Sequence, residues 1–384
     1  MTKSAKRPGP CAGLKIIEFA TMISGPLAGQ ILGDLGADVI KIEPAAGDPM
    51  RHLHPMQDGM SAFFVQVNRN KRSIALDLKD PEAIETARAL CADADVVIEN
   101  FRPGVMKRLG LGPNDLSRDN PGLIYASITG FGADGPYANR PAYDHVIQGM
   151  TGMMRYYEEL DGRPDAFRNV VVDKIAAQTI ANGVLAALLE RSMNGGNGQT
   201  VSTTLLDAYA AFILPDIMLN HTFQNDDAEQ IPHINTYYPI KTSDGYVIGY
   251  VLHDVQFEGL CKVVEREDLI GDDRFKDTWS RITHFPEMWR EIESASQHFT
   301  TQHIVDGAAE HSVPIGSVNT VADFFNDPQV QHNKTIYDRE DARMGTVRQI
   351  GFPVRFSNGD LNLDTCAPGL SEQAEEILAE SKSG

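Results

Sequence analysis

The strongest constraint on the fold is an alternation of short apolar runs and helical segments that begins at Leu14. Leu14–Ala20 (LKIIEFA) has strand character, Pro26–Leu35 (PLAGQILGDL) carries apolar residues at helical spacing, and Asp38–Glu43 (DVIKIE) is a second strand. The second strand closes a βαβ-like unit, whose long crossover suits parallel strands. The helix is entered through Ser24-Gly25-Pro26, where a proline lacks only an N–H that would have no partner in the first turn. Gly29 and Gly33 fall on one helix face and permit close approach to the sheet. The pattern recurs with strands at Ser73–Leu78, Val96–Asn100 and Leu123–Thr129, a helix at Pro81–Cys91 and a helical turn at Gly104–Leu109. This predicts an α/β chain with a mostly parallel sheet whose ligands sit at the carboxyl ends of the strands.

Lys174–Arg191 is the strongest helix, apolar nearly all round and therefore expected to be buried; Asn194-Gly195-Gly196-Asn197-Gly198 ends it. A further strand and helix occupy Thr200–Phe212. The texture then changes to an acidic linker at Gln224–Gln230, a strand at Tyr246–Leu252 and short charged helices from Val255 to Ala309. The expected organisation is a large ligand-binding domain at 1–224, a small domain at 225–325 and a C-terminal segment at 326–384. That last segment holds a short strand at Val354–Ser357 and an amphipathic helix at Ser371–Ser381.

With 384 residues, 42% hydrophobic and 23% charged, the composition is that of a globular enzyme and not of a disordered or disulfide-built chain. Cys11, Cys91, Cys261 and Cys366 are far apart, which points to neither zinc nor disulfides and fits a reducing cytoplasm. The N-terminal MTKSAKRPGP is not followed by a signal-type apolar run, and no unbroken apolar stretch reaches about 20 residues, so neither secretion nor a membrane partner is expected. A net charge of −19 repels nucleic acid and anionic membranes. The first 110 residues are nonetheless balanced, with 14 Lys and Arg against 13 Asp and Glu, and are the natural place for a bound anion.

Several chemistries are poorly supported. The glycines at 25, 29, 33 and 36 do not form GxGxxG, no GxSxG elbow occurs, and His52 and His54 lie in a Pro-flanked loop without an HExxH helix. Two basic clusters at loop edges are more informative: Asn68-Arg69-Asn70-Lys71-Arg72, and Asn100-Phe101-Arg102-Pro103-Gly104 with Lys107 and Arg108 behind it. Arg72 and Arg102 in these clusters could pair with the phosphates of a nucleotide, although the same residues also read as solvated basic faces. Asp173, between Val170-Val171-Val172 and the long helix, reads as a helix N-cap. A carboxylate there would be held ionised by backbone N–H groups, which suits a nucleophile.

In chain order, GLKIIEFATMISGPLAGQILGDLGADVIKIEPAAGDPMR, NRNKRSIALDLK, DVVIENFRPGVMKRLGLG, SITGFGADGPYANRPAYDHVIQGMTGMM and VVVDKIAAQTIANGVLAALLER resemble the family III coenzyme A transferases. That group includes formyl-CoA transferase, the carnitine CoA-transferase and bile-acid-inducible proteins, and the related α-methylacyl-CoA racemases. The resemblance spans the whole chain. It implies a Rossmann-like large domain with a mostly parallel sheet, a smaller α+β domain and an interlocked homodimer whose tail returns to the large domain. It also implies coenzyme A as substrate without a metal, an acyl-CoA and a carboxylic acid as partners, and Asp173 as nucleophile. Tyr143 and Asp144 match an active-site Tyr-acid pair, while Leu76, Lys79, Asn100, Phe101 and Arg108 match CoA-contacting positions. Two further contact positions fall on Thr21 and Ile23, which cannot repeat the same polar contacts.

The implied chemistry moves CoA from an acyl-CoA to an acid through aspartyl anhydride and aspartyl-CoA thioester intermediates. Racemisation of an α-methylacyl-CoA is the alternative, disfavoured because tyrosine stands at position 143 where the racemases have histidine, and tyrosine is a poor base near neutrality. A CoA-binding protein without activity is the alternative of another class. No glycine occurs between Gly198 and Gly245, so the mobile glycine-rich loop of formyl-CoA transferase has no counterpart, and the stretch His233–Pro239 stands in its place. Arg140, His145, His233 and Tyr238 are candidate contacts to the acid, each equally a surface residue.

Overall fold

The computed structural model describes residues 8–225, 227–231, 233, 235–359, 361, 363 and 365–381. The basic N-terminal stretch up to Arg7, Asp226 of the acidic linker and Ile234 lie outside the described residues. The described chain divides into two compact units, one of Met1–Tyr156, Pro164–Leu219 and His332–Gly384, the other of Tyr157–Arg163 and Asn220–Gln331.

The first unit is built on six strands, β1 Lys15–Glu18, β2 Asp38–Glu43, β3 Lys71–Ala75, β4 Val96–Glu99, β5 Ile124–Thr129 and β6 Gln199–Thr204. Every neighbouring pair is parallel, in the order β3-β2-β1-β4-β5-β6. The central strands are apolar runs buried on both faces, among them Ile16, Ile17, Val39, Ile40 and Val96–Ile98. The order reverses between β1 and β4, so the chain leaves these neighbours in opposite directions and a crevice opens at their carboxyl ends.

The helices that position the crevice are α1 Ser24–Asp34, α2 Pro81–Ala92, α3 Asp144–Met150, α4 Val171–Met193 and α5 Leu205–Ile217. α1 packs on α4, which packs in turn on α5, β5 and β6. The close approach that Gly29 and Gly33 permit is realised. A Cβ on Gly29 would meet Glu18 Oε2 at 2.0 Å, and one on Gly33 would meet the Asn70 carbonyl at 2.9 Å. α4 is long and apolar enough, by length and composition, to cross a membrane, a test that the core helix of a globular protein also passes. It is not buried all round: Val172, Ala176, Ile180 and Val184 face the core, while Leu189 and Met193 are exposed.

Two sequence expectations shift. β3 lies two to three residues earlier than expected, because Asp80 accepts from Glu82 N as the cap of α2 and commits the preceding residues to a turn. Val354–Ser357 is not a strand. A hairpin of β-strands Ile336–Asp341 and Gly345–Ile350 precedes it, hidden in the sequence because cross-strand polar pairs, Asp338 with Arg348 and Glu340 with Thr346, replace apolar alternation. A final helix, Ala374–Ser381, packs on α2 and β3. The second unit holds a three-stranded antiparallel sheet, Ile240–Lys241, Tyr246–Gly249 and Ile315–Ser317, over a core that includes Phe257, Leu260, Phe285, Met288 and Trp289.

Beneath the crevice lies a dry ion network. Lys41 Nζ sits 2.9 Å from Glu18 Oε1, 3.0 Å from Asp48 Oδ2 and 2.7 Å from the Ala20 carbonyl. Lys71 Nζ lies 2.7 Å from Glu18 Oε2 and donates to Asn68 Oδ1. Arg51 forks onto Glu43 at 2.7 and 2.6 Å and reaches the Pro368 carbonyl. Burial works against the charge on Lys41, but Glu18, Asp48 and Glu43 outweigh it and raise its pKa. Lys71, penalised by burial and by neighbouring Lys41 with Glu18 opposing, is pushed down to about 8.

Removing one member of this network strands its partners. Lys41→Met, which leaves Glu18 and Asp48 without their shared cation, should lower unfolding stability by about 3–5 kcal/mol in urea titration. Arg72→Ala, which removes pairs to the more exposed Asp38, Glu376 and Glu380, should cost about 1 kcal/mol or less.

Candidate active site

The loops after β1, β4, β5 and the turn into α5 all open on one cleft of about 760 Å³. Thr21–Ser24, Asn100–Pro103, Thr129-Gly130, the Arg140–Val146 stretch, Asp173 and Leu205 line it. Of the residues singled out in the sequence, the structure brings together Asp173, Tyr143, Asp144, Asn100, Phe101 and Arg102 at this cleft. Leu76 packs against the same buried cluster as Phe101, which includes Ile42, Ile74 and Met106. Lys79, on the turn after β3, and Arg108, at the end of the short helix Val105–Arg108, are exposed and do not line it.

Arg72 is a correction. Its guanidinium is spent on Asp38, Glu376 and Glu380, so it holds the final helix to β3 and does not face the cleft. The rest of its basic cluster is also turned inward. Arg69 lies 2.6 Å from Asp34, Asn70 donates to the same carboxylate at 2.8 Å, and Lys71 meets Glu18. Asn68–Arg72 is therefore a buried staple between strand and helix. Outside the cleft, His233 pairs with Glu159, and Tyr238 lines a separate pocket beside Trp289; both belong to the second unit.

Asp173 is the third residue of α4 and not its N-cap, a position held by Val170. The cap is supplied from α3. Asp144, buried, accepts from Val172 N at 2.7 Å and Asp173 N at 3.3 Å through Oδ2, while Gln148 Nε2 donates to Oδ1 at 2.6 Å. Gln148 in turn accepts from Phe167 N, fixing the loop that leads into α4. The expected Tyr-acid pair is thus divided: Tyr143, 69% exposed, faces the cleft, and Asp144 turns to the helix end. Asp144 is a positioning residue.

This arrangement also corrects the expected charge state. The helix-end N–H groups are already taken by Asp144, so Asp173 gains little from them. Burial, then the Asp144 charge, push the Asp173 pKa from 3.8 up to about 6, and a hydrogen bond with the Ser24 hydroxyl pulls the other way. The carboxylate is ionised at neutrality but poorly solvated, which makes it a better nucleophile than an exposed aspartate.

Ser24 was not read as functional in the sequence, although Thr21 and Ile23 of the same loop fall on contact positions implied by the resemblance. Asn100 clamps the loop by accepting from Thr21 N at 3.0 Å and donating to Thr21 O at 2.8 Å. Asp48 holds Met22 N at 3.2 Å, with Met22 in the left-handed region at φ 67°. Ion-network residues Lys41 and Asp48 therefore support the cleft directly. The available signal was the charged residues Glu18, Lys41 and Glu43 inside strands that are otherwise Ile and Val. Gly130 is required on the far wall, where a Cβ would meet the Ala142 Cβ at 2.4 Å. Among the described residues, no group of three or more His, Cys, Asp or Glu side chains could hold a metal ion.

Fold and cleft together define an α/β enzyme whose crevice presents a desolvated carboxylate. Residues 11–374 match CoA-transferase family III, and the chain belongs to that family. It is 34% identical to the succinate–glutarate CoA-transferase of Agrobacterium fabrum, covering 99% of this chain and 98% of that one. It is 32% identical to the human succinyl-CoA:glutarate CoA-transferase, over 97% and 86% of the two chains. A crystal structure of a CAIB/BAIF family protein from Brucella suis superposes with a TM-score of 0.86 at 35% identity, covering 98% of this chain and all of that one.

Two outcomes follow for Asp173. The acid limb of kcat/KM should fall near pH 6, and Asp144→Asn, which deletes the neighbouring charge, should move it to lower pH. The raised pKa means that ionised Asp173 is disfavoured in the native state. That penalty is full above about 6 and relieved as pH falls toward the ordinary aspartate value. Asp173→Asn should accordingly raise unfolding stability at pH 7.5 by about 1–3 kcal/mol, with the gain gone below about pH 4.

Proposed function

We propose that the protein transfers CoA from an acyl-CoA donor to a carboxylic acid through covalent intermediates on Asp173. The observation that carries this reading is the carboxylate itself: half-buried at the opening of α4, lining the crevice, with its pKa raised to about 6. Asp173 Oδ attacks the thioester carbonyl, the C–S bond breaks, and the products are a mixed anhydride and CoA thiolate. The thiolate then attacks the Asp173 carbonyl carbon and releases the donor acid. An acceptor carboxylate reverses both steps, forming its own anhydride and then its own CoA thioester, and Asp173 is regenerated as a carboxylate. Each step exchanges acyl groups of similar energy, so the thioester's free energy is retained.

Coenzyme A would lie across Asn100–Arg102 and the apolar shelf of Leu76 and Phe101, with Lys79 and Arg108 at its phosphate end. A homodimer is part of the proposal, supported by the apolar side chains that α4 and α5 leave exposed, Leu189, Met193 and Phe212. The names of the relatives make succinyl-CoA and glutaryl-CoA the first donors to try.

Intact-mass spectrometry with these donors and hydroxylamine tests the mechanism. Wild type should acquire a hydroxamate at Asp173 and lose activity, and Asp173→Ala should do neither while still binding CoA. Turnover surviving in Asp173→Ala would remove it as nucleophile, and exchange of the α-proton in deuterated water without acyl capture would reassign the reaction as racemisation.

A further inference from the structure

Glu99 ends β4 immediately before the Asn100–Pro103 stretch of the cleft, and the transfer chemistry above does not use it. The residue is 7% exposed, and among the described residues no lysine, arginine or histidine pairs with it. Both carboxyl oxygens nevertheless have a partner. Oε2 accepts from the Phe101 amide at 2.9 Å, and Oε1 accepts from the hydroxyl of Ser127, the residue that stands opposite Glu99 in the parallel register of β4 and β5. Burial pushes the pKa of Glu99 up, and these two hydrogen bonds oppose the rise.

The bond from Ser127 anchors the carboxyl group to the sheet, and the bond from Phe101 N turns the side chain back onto its own loop. Between these residues in sequence, Asn100 directs its amide at Thr21, accepting from Thr21 N and donating to Thr21 O. Phe101 packs against the buried cluster of Ile42, Ile74 and Met106 that Leu76 also joins. Three consecutive side chains therefore tie the end of β4 to β5, to the loop after β1 and to the apolar shelf. An aliphatic residue at position 99 would avoid the desolvation penalty of a carboxylate. It would leave the Phe101 amide and the Ser127 hydroxyl without their acceptor.

Resting on the reading of Asn100–Arg102 as part of the CoA-binding surface, we propose that Glu99 is a positioning residue for coenzyme A: its carboxyl group fixes the backbone of the Asn100–Phe101 step and makes no contact with the ligand. The pair of hydrogen bonds carries this role, and the charge does not. Glutamine can reproduce the pair, because its Oε1 accepts from Phe101 N while its Nε2 donates to Ser127 Oγ, a hydroxyl oxygen that both gives and receives. Affinity for CoA is thus lost with the bonds and kept when only the charge is removed.

Calorimetric titration of purified full-length protein with CoA, together with hydrogen exchange over residues 99–103, tests this. Glu99→Leu should weaken CoA binding by about 10–30-fold and speed exchange at the Phe101 amide, whereas Glu99→Gln should stay within about threefold of wild type in both. Ser127→Ala removes one bond at a side chain that does not line the cleft, and should weaken binding by about 3–10-fold. It carries the test if Glu99→Leu fails to fold. With succinyl-CoA as donor, the loss should fall on kcat/KM for the acyl-CoA and leave kcat/KM for the acceptor acid within about twofold, a split that general loosening of the fold would not produce. Equal losses of CoA affinity in Glu99→Gln and Glu99→Leu would assign the effect to charge and overturn the proposal. Unchanged CoA affinity in Glu99→Leu, or in Ser127→Ala where the leucine variant is unfolded, would overturn it as well, as would equal losses on both substrates. A wild type that does not bind CoA would instead overturn the CoA-binding reading on which the proposal rests.

Discussion

Charges buried without water must be neutralised in place, and that requirement organises the first unit. Glu18, Lys41 and Lys71 project from β1, β2 and β3 into one dry space, and Asp48 joins them from the loop that follows β2. Their attraction fixes how the three strands register and where the chain must turn after them. The same groups then hold the cleft-lining loop Thr21–Ser24, since Lys41 binds the Ala20 carbonyl and Asp48 the Met22 amide. Well-packed hydrophobic residues could supply similar stability. They could not supply directed hydrogen bonds to a loop held in a left-handed turn. The network thus converts the rigidity of the sheet into a defined position for Ser24, whose hydroxyl bonds to Asp173.

The alternation of strands and helices was legible because the parallel sheet needs continuous apolar strands, and Leu14–Glu43 and Val96–Glu99 show them plainly. Asp173 and Asn100 were legible as cleft-lining residues because one opens a helix and the other follows a strand at the carboxyl edge of the sheet, while Tyr143 was reached through the family resemblance. Neither open reading of the Asn68–Arg72 cluster, phosphate pairing or a solvated basic face, holds, because its partners are distant in the chain. Asp34 and Asp38 lie more than thirty residues earlier, and Glu376 and Glu380 about three hundred later. A local charge count cannot see that these cations are already neutralised. The cap of α4 was hidden for the same reason: the acceptor, Asp144, is 28 residues from the amide that donates to it.

Asp144 joins two requirements in one group. Its negative charge keeps the helix end hydrogen-bonded and simultaneously makes ionisation of Asp173 harder. Structural order at the opening of α4 and the reactivity of the carboxylate are therefore coupled. The cost appears as a native state that would be more stable without the Asp173 charge, a familiar opposition between stability and preorganisation in a cleft.

β3 is an edge strand, and its outer hydrogen-bonding groups are met by the far end of the chain. Asn70 N donates to Thr365 O, Ser73 N to the Gln373 side chain, and Ala75 N to Ser371 Oγ. Gln373 is made 300 residues after Ser73, an interval of about 15–60 s at ordinary translation rates. Throughout that time the sheet has an open edge able to pair with another nascent chain. The tail is thus the last piece to close the sheet.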